Sequence, residues 1–324
     1  MGASMSASFR TLGQTDIEIT PIGLGAWQFS EGRGGATGFW SPINSQETDA
    51  IVQAALDGHI NWFDTAELYG NGRSEKGLSE ALKRAGVSNG NVKIATKWSP
   101  IFRSANSIRK TIDKRLEFLD GFTIDLHQVH NPASFSPPEA EMNAMADLLD
   151  AGKIRSAGVS NFSANDMQRA HEQLLKRGYT LASNQVKYSL LDRRIETNGI
   201  LQVAKDLYIT IIAYSPIEMG LLSGKFHKDP QLLDSRPFIR RQMLKRKLES
   251  SRPLVGLLEK IARAYDVTAS QVALSWLVNY HGDVVVAIPG ASKASHAKES
   301  AAAMQLKLTQ AELKEIEEYS RQFK

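Results

Sequence analysis

Residues 60–84 read INWFDTAELYGNGRSEKGLSEALKR, and they hold one complete structural unit. Ile60–Phe63 is a short apolar run bounded by turn residues, the signature of a strand. Gly70 and Gly72 punctuate the loop that follows. From Arg73 to Arg84 the apolar residues Leu78, Ala81 and Leu82 return at helical spacing. A strand that feeds a helix of this length returns to its sheet as a parallel neighbour, so the unit specifies α/β architecture.

Working outward, the same unit recurs. Strand-like runs are expected at Pro21–Leu24, Ile60–Phe63, Asn91–Thr96, Ile124–Val129, Ile154–Val159, Leu181–Gln185, Thr210–Tyr214 and Val284–Ile288. Between them, helical periodicity covers Ser45–Leu56, Arg73–Arg84, Ala105–Leu119, Pro138–Ala151, Ala164–Arg177, Gly199–Asp206 and Ala269–Asn279. Ser163 and Thr268 supply N-caps, and Thr309 with Glu312 a capping box for a last helix ending at Ser320. Repetition without a central change of pattern favours closure into a single (β/α)8 TIM barrel over two doubly wound halves. Phe9–Glu18, with Gly13-Gln14-Thr15-Asp16 at its middle, reads as an N-terminal hairpin capping the barrel bottom. Residues 1–8 read as a flexible polar tail and 9–324 as the barrel domain. Pro216–Leu254 is long enough to be a functional lid.

Composition narrows the function classes. The 324 residues are 42% hydrophobic and 23% charged, as in globular enzymes and unlike disordered or fibrous chains. Lys and Arg number 39 against 35 Asp and Glu, a net charge of only +4. No zinc finger, helix-turn-helix or aromatic-basic motif accompanies it, so nucleic acid is not an expected partner. The absence of cysteine removes disulfides, thiolate metal sites and cysteine nucleophiles. No apolar run approaches the roughly 20 residues that span a bilayer. The Met1-Gly2 start fits a loose myristoylation pattern but lacks a secretory core, and a cytoplasmic protein is expected.

Catalytic groups in such a barrel lie at the carboxyl ends of strands. There the sequence places Asp64, Tyr69 in the following loop, Lys97 and His130. Singly, each has a plain explanation: a helix cap, an aromatic plug, a surface charge and a core histidine. Together they form a proton-transfer set. An adjacent ammonium from Lys97 would lower the Tyr69 pKa from about 10. Asp64 would keep a buried Lys97 charged, and His130 would orient a carbonyl. No metal is expected: His127 and His130, three apart on a strand, point to opposite faces.

At these residues the chain resembles the aldo-keto reductase family. Asn61-Trp62-Phe63-Asp64-Thr65-Ala66-Glu67-Leu68-Tyr69-Gly70, Ala157-Gly158-Val159-Ser160-Asn161-Phe162 and Ile288-Pro289-Gly290-Ala291-Ser292-Lys293 are similar to its three signatures. His59 departs, since glycine is expected there. The resemblance implies an NADPH/NADP+-dependent oxidoreductase acting on a small carbonyl substrate, with Tyr69 as general acid assisted by Lys97, Asp64 and His130. It implies a nicotinamide site on Gly25, Ala26, Trp27 and Asp64, with Ser160, Asn161 and Gln185 at the carboxamide and Tyr214 beneath the ring. Ser215, Pro216, Ile217, Leu221 and Lys225 would meet the pyrophosphate. Ile288, Gly290, Ser292, Lys293, Glu299 and Ser300 would surround the adenosine end. Lys293 is the first candidate for a 2′-phosphate, with Arg236, Arg240 or Arg241 reaching over it. Trp27, Trp98 and His130 are the expected substrate contacts; read from the residues alone, Trp27, Phe29, Trp40, Trp98 and Phe162 are candidates for an apolar pocket wall, and core packing explains these aromatic residues equally well.

The likeness extends to a bacterial-type branch similar to potassium-channel β-subunits, which leaves a non-catalytic nicotinamide-binding subunit as the alternative. Nothing in the sequence marks an oligomeric interface. Two other nucleotide motifs fail: Gly23-Leu24-Gly25 lacks the third glycine of the dinucleotide fingerprint. Gly220–Lys225 is one residue short of a P-loop and is followed by Phe226.

Overall fold

The structure, a computed structural model, describes residues 9–32 and 42–324. Residues 1–8, including the N-terminal tail, and Trp40 lie outside the described residues. The hairpin pairs β1 (Arg10–Thr11) antiparallel with β2 (Glu18–Ile19). The barrel strands are β3 (Leu24–Gly25), β4 (Trp62–Asp64), β5 (Lys93–Trp98), β6 (Leu126–Val129), β7 (Ala157–Ser160), β8 (Leu181–Lys187), β9 (Thr210–Tyr214) and β10 (Val285–Ala287). They form one parallel sheet in sequence order. Parallel bridges from Ile22 to Ala287 and from Gly25 to Gly290 join its two ends and close the barrel. The seam is narrow: a Cβ on Gly25 would stand 3.0 Å from the Ile288 carbonyl oxygen, a tight contact that glycine avoids.

Around the strands run α1 (Ser45–Asp57), α2 (Arg73–Arg84), α3 (Asn106–Leu119), α4 (Pro138–Asp150), α5 (Ala164–Leu175) and α6 (Ile200–Asp206). They continue with the short α7 (Lys225–Lys228), α8 (Phe238–Ala264), α9 (Ala269–Asn279), α10 (Ala294–Ala302) and α11 (Gln310–Ser320). Expected caps at Ser163, Thr268 and Thr309 accept the backbone N–H groups of Asp166, Gln271 and Glu312. The main core fills the space between strands and helices, with Phe63, Trp98, Val129, Phe162 and Trp276 buried in it. A second core fills the barrel's lower interior: Leu12, Ile17 and Ile19 from the hairpin pack on Trp62, Ala95, Leu126, Ala182, Ile212 and Val286. The hairpin therefore plugs the bottom, as expected.

Three features differ from the sequence reading. Pro216–Leu254 is not one long lid, because Phe238–Ala264 is a 27-residue helix that runs through Pro253. Leu244, Leu248, Val255, Leu258 and Ala262 are its buried stripe. Residues 294–302 form the unanticipated α10. Several strands also begin two or three residues later than expected, and β3, β4, β5 and β7 end one or two residues later. The ladder continues through inward-facing polar residues such as Asp64, Lys97 and Ser160. No helix among the described residues is long and apolar enough to cross a membrane.

Candidate active site

Alternation along each strand divides the barrel interior into two levels. Two residues above the apolar Trp62, Ala95, Leu126 and Ile212 stand Asp64, Lys97, Gln128 and Tyr214. At this upper level Lys97, with no exposed surface, donates to the Asp64 carboxylate and, at 2.9 Å, to the Thr65 carbonyl. The second oxygen of Asp64 accepts from the Gln185 amide at 2.8 Å and the Gln128 amide at 3.3 Å. The carboxylate is thus desolvated but paired, the condition under which a buried ion pair is tolerated.

The Tyr69 ring lies with its centroid 5.0 Å from Lys97 Nζ. It stacks on Trp27 at 5.8 Å and meets His130 edge-on at 5.6 Å. Its loop turns through Gly70, Asn71 and Gly72, all left-handed, and a Cβ at Gly72 would strike the Phe118 ring at 2.2 Å. Gly72 then starts α2, so the turn chemistry fixes where Tyr69 stands. Burial pushes the Tyr69 hydroxyl above its usual pKa against the downward pull of Lys97. Asp64 adds to the upward push. The expected depression is therefore reversed, because desolvation of the phenolate outweighs the ammonium. Burial also works to lower Lys97, but Asp64 and Tyr69 hold its pKa above the usual value. Burial, reinforced by Lys97, pushes His130 down to about 3, which leaves its imidazole neutral. His127 faces away, beside Arg115, so the two histidines do not converge.

The expected nicotinamide group is one network. Ser160 donates to the Gln185 carbonyl at 2.9 Å, Asn161 to Asn131 Oδ1 at 2.8 Å, and the Tyr214 hydroxyl to Asn161 Oδ1 at 3.0 Å. Gly25, Ala26 and Trp27 border the same opening, with the Ala26 N–H on the Asp64 carbonyl at 2.8 Å. Trp98 does not join them. Since Lys97 points inward, Trp98 points outward, fully buried, with its indole donating to Ser107 on α3. The Leu221 side chain is likewise turned into the core, because it packs beneath the loop and leaves only its backbone available. Phe29 and Phe162 are also core residues.

Beyond β9, Ser215, Glu218 and Met219 all adopt left-handed backbone, and Pro216 and Ile217 lie between them. Sequence reasoning missed what holds this strained segment. Buried Glu218 accepts from Lys187 and from Lys247, each at 2.8 Å, and Arg240 donates to the Met219 carbonyl at 3.0 Å. Lys225 sits within range of Arg236, Arg240, Lys293 and Glu299; burial, reinforced by these cations, lowers its pKa. Lys293 caps α10, Ser292 lies 3.4 Å from His296 on its first turn, and Ser300 is buried farther along. Glu67 was also missed: it accepts from Arg103 at 2.8 Å and from the Ser99 N–H at 3.0 Å, tying the Tyr69 loop to the loop after Lys97. Gln128 was findable, because alternation from His130 puts it inward.

The aldo/keto reductase family model matches residues 21–321. The chain belongs to this family. It is 34% identical over 296 residues to an uncharacterized oxidoreductase of Mycobacterium tuberculosis, covering 90% of this chain and 86% of that one. An aldo-keto reductase of Schizosaccharomyces pombe, yakc, whose name specifies NADP(+), is 30% identical, with 97% and 92% covered. The glycerol dehydrogenase of Gluconobacter oxydans superposes with a TM-score of 0.79 at 26% identity, covering 98% of this chain and 97% of its own. These neighbours share the whole barrel, so family membership extends over both levels of the interior.

Proposed function

We propose that the protein reduces an aldehyde or ketone to the alcohol with NADPH, using Tyr69 as proton donor. The observation that carries this reading is the fully buried Lys97, held between the Asp64 carboxylate and the Tyr69 ring. A buried ammonium, its paired carboxylate and an adjacent phenol have little structural value that apolar packing would not supply better. A neutral His130 beside the phenol can hydrogen-bond a carbonyl oxygen without competing for the proton.

The residues suit a dinucleotide phosphate. Lys225, Arg236, Arg240 and Lys293 crowd one another with Glu299 the acidic neighbour, an arrangement that a bound polyanion would relieve. The N-terminus of α10 adds oriented N–H groups beside them. Buried Gln28 keeps an unpartnered Oε1 against Gly290, where a Cβ would collide with its amide at 2.4 Å. Ser160, Asn161, Gln185 and Tyr214 would hold the nicotinamide end, Ser215, Pro216, Ile217, Leu221 and Lys225 the pyrophosphate, and Lys293 with Ser292 a 2′-phosphate. NADPH, when bound, supplies the hydride equivalent.

Within the chain, Tyr69 delivers its proton to the carbonyl oxygen. Lys97 stabilises the phenolate left behind, and Asp64 keeps Lys97 charged. The complete set of four groups favours catalysis over a purely regulatory nicotinamide-binding subunit. Tyr69→Phe tests the assignment: NADPH oxidation with an aldehyde should fall roughly 10²- to 10⁴-fold while NADPH affinity is retained. Wild-type turnover in a single-turnover assay would rule out Tyr69 as the acid.

A further inference from the structure

Behind the Tyr69 loop, the layer between strands and helices holds a charge cluster that the proposed proton transfer does not use. Glu75, on the first turn of α2, and Arg115, on α3, are both buried, with Arg115 Nη1 2.7 Å from Glu75 Oε2. The other carboxylate oxygen, Oε1, accepts from the Thr96 hydroxyl at 2.6 Å. Thr96 precedes Lys97 on β5, and since Lys97 points inward, Thr96 points outward. One carboxylate therefore joins α2, α3 and the residue next to Lys97. His127, the register partner of Thr96 on β6, lies within range of Arg115, with both ring nitrogens unpartnered among the described residues. Apolar side chains would fill this layer at lower cost, because the attraction between buried charges often fails to offset their desolvation.

The same turn of α2 decides where Tyr69 stands. The Ser74 N–H donates to the Tyr69 carbonyl at 3.2 Å. The Ser74 hydroxyl, 2.8 Å from that of Thr65, donates to the Ala26 carbonyl at 2.7 Å. On α3, Arg115 lies over the Phe118 ring at 5.2 Å, and that ring is the surface against which Gly72 closes the turn. Glu75 thus ties the helix that seats the phenol to the strand residue beside the ammonium.

We propose that Glu75 is a positioning residue: as a carboxylate it holds Thr96 and Arg115 in the arrangement that sets Lys97 against the Tyr69 ring. The inference rests on the carbonyl-reductase reading of that pair. Burial pushes the Glu75 carboxyl up to about 7, against the pull of Arg115, Thr96 and Lys97, while Glu67 adds to the rise. Burial, reinforced by Arg115, keeps His127 neutral, so Arg115 is the cation that Glu75 answers on this side of the wall. The ion pair is therefore complete above that pH and is lost as pH falls through it.

Two measurements on Thr96→Val, Thr96→Ser and Glu75→Gln test this. In single-turnover reduction of an aldehyde by NADPH, Thr96→Val should be slowed roughly ten- to hundredfold at unchanged NADPH affinity, because a misplacement of about 1 Å costs up to that order. Thr96→Ser restores the hydroxyl and should restore the rate. The wild-type rate should fall as pH drops through about 7, and Glu75→Gln should be slow without that limb. In ultraviolet difference titration the Tyr69 phenolate should form at higher pH in Thr96→Val and in Glu75→Gln, because the ammonium is no longer held close. A direct effect of the lost negative charge would move it to lower pH, and a loss of stability alone would leave it in place. A wild-type rate in Thr96→Val, no recovery in Thr96→Ser, or a wild-type rate that is flat across neutral pH would overturn the proposal. So would an acid limb that persists in Glu75→Gln, or a phenolate titration that stays in place or moves to lower pH in either variant. If Glu75→Gln does not fold, the two Thr96 variants decide. If wild type reduces no aldehyde, the carbonyl-reductase reading fails, and the phenolate titration, which needs no substrate, still decides whether Glu75 sets Lys97 against Tyr69.

Discussion

The lower and upper halves of the barrel interior are built by the same strands, two residues apart, and they have opposite chemistry. Below, Trp62, Ala95, Leu126 and Ile212 meet the hairpin's Leu12, Ile17 and Ile19 in an apolar plug. Above, Asp64, Lys97, Gln128 and Gln185 hold a charge pair out of water. The lower half can be removed from solvent at a gain. The upper half is removed at a cost that hydrogen bonds and charge pairing only offset. A division of labour follows within the barrel interior: of its two levels the plug contributes the stability, and the layer it supports carries the chemistry.

The sharpest way to break this comparison is to damage the plug. Trp62→Ala should cost about 3–5 kcal/mol by denaturant unfolding, while kcat per folded molecule changes little. A variant as stable as wild type, or one whose folded molecules lose turnover, would mean that stability and chemistry are not divided between the two levels. At the upper face, Lys293→Ala should weaken NADPH by about 1.5–3 kcal/mol, or one to two decades, in a fluorescence titration. NADH should bind as before and the Tm should hold; equal weakening of both cofactors would assign Lys293 to the shared part of the nucleotide. The smallest effect is expected near the foot of β4. His59, at the position where glycine was anticipated, is exposed and left-handed at φ +64°. His59→Gly should stabilise the fold by about 1 kcal/mol without touching activity, and a lower Tm would show that the imidazole makes a contribution of its own.

The sequence was most legible where apolar periodicity and turn residues agreed, as in β4, α2 and the hairpin. It misled where polarity continued inside an element. The expected strands stop at Phe63 and Thr96, although Asp64 and Lys97 extend the ladder because the upper interior is polar. The helix α8 was missed for two local reasons. Pro253 reads as a breaker, and the basic run from Arg236 to Lys247 hides the stripe of Leu244 and Leu248. At the site, strand ends brought Asp64, Lys97, Tyr69 and His130 into view together. Trp98 was misplaced by neglect of the alternation that Lys97 imposes. Glu67, Glu218 and Arg103 were invisible, because their value lies in contacts between loops that no local pattern encodes. The direction of the Tyr69 shift was also missed, since the depth of burial is set by the assembled barrel.

The central claim is that Tyr69 is the acid and that Lys97 governs its ionisation. Ultraviolet difference titration of the phenolate, with Tyr69→Phe as the blank, measures this directly in wild type and in Lys97→Met. Burial raises the Tyr69 pKa above its ordinary value of 10.0 and Lys97 pulls it down, so removing the ammonium must move the ionisation to higher pH. The account predicts that the signal lost in Tyr69→Phe begins at higher pH in Lys97→Met than in wild type. Coincident curves, or a shift to lower pH, would contradict it.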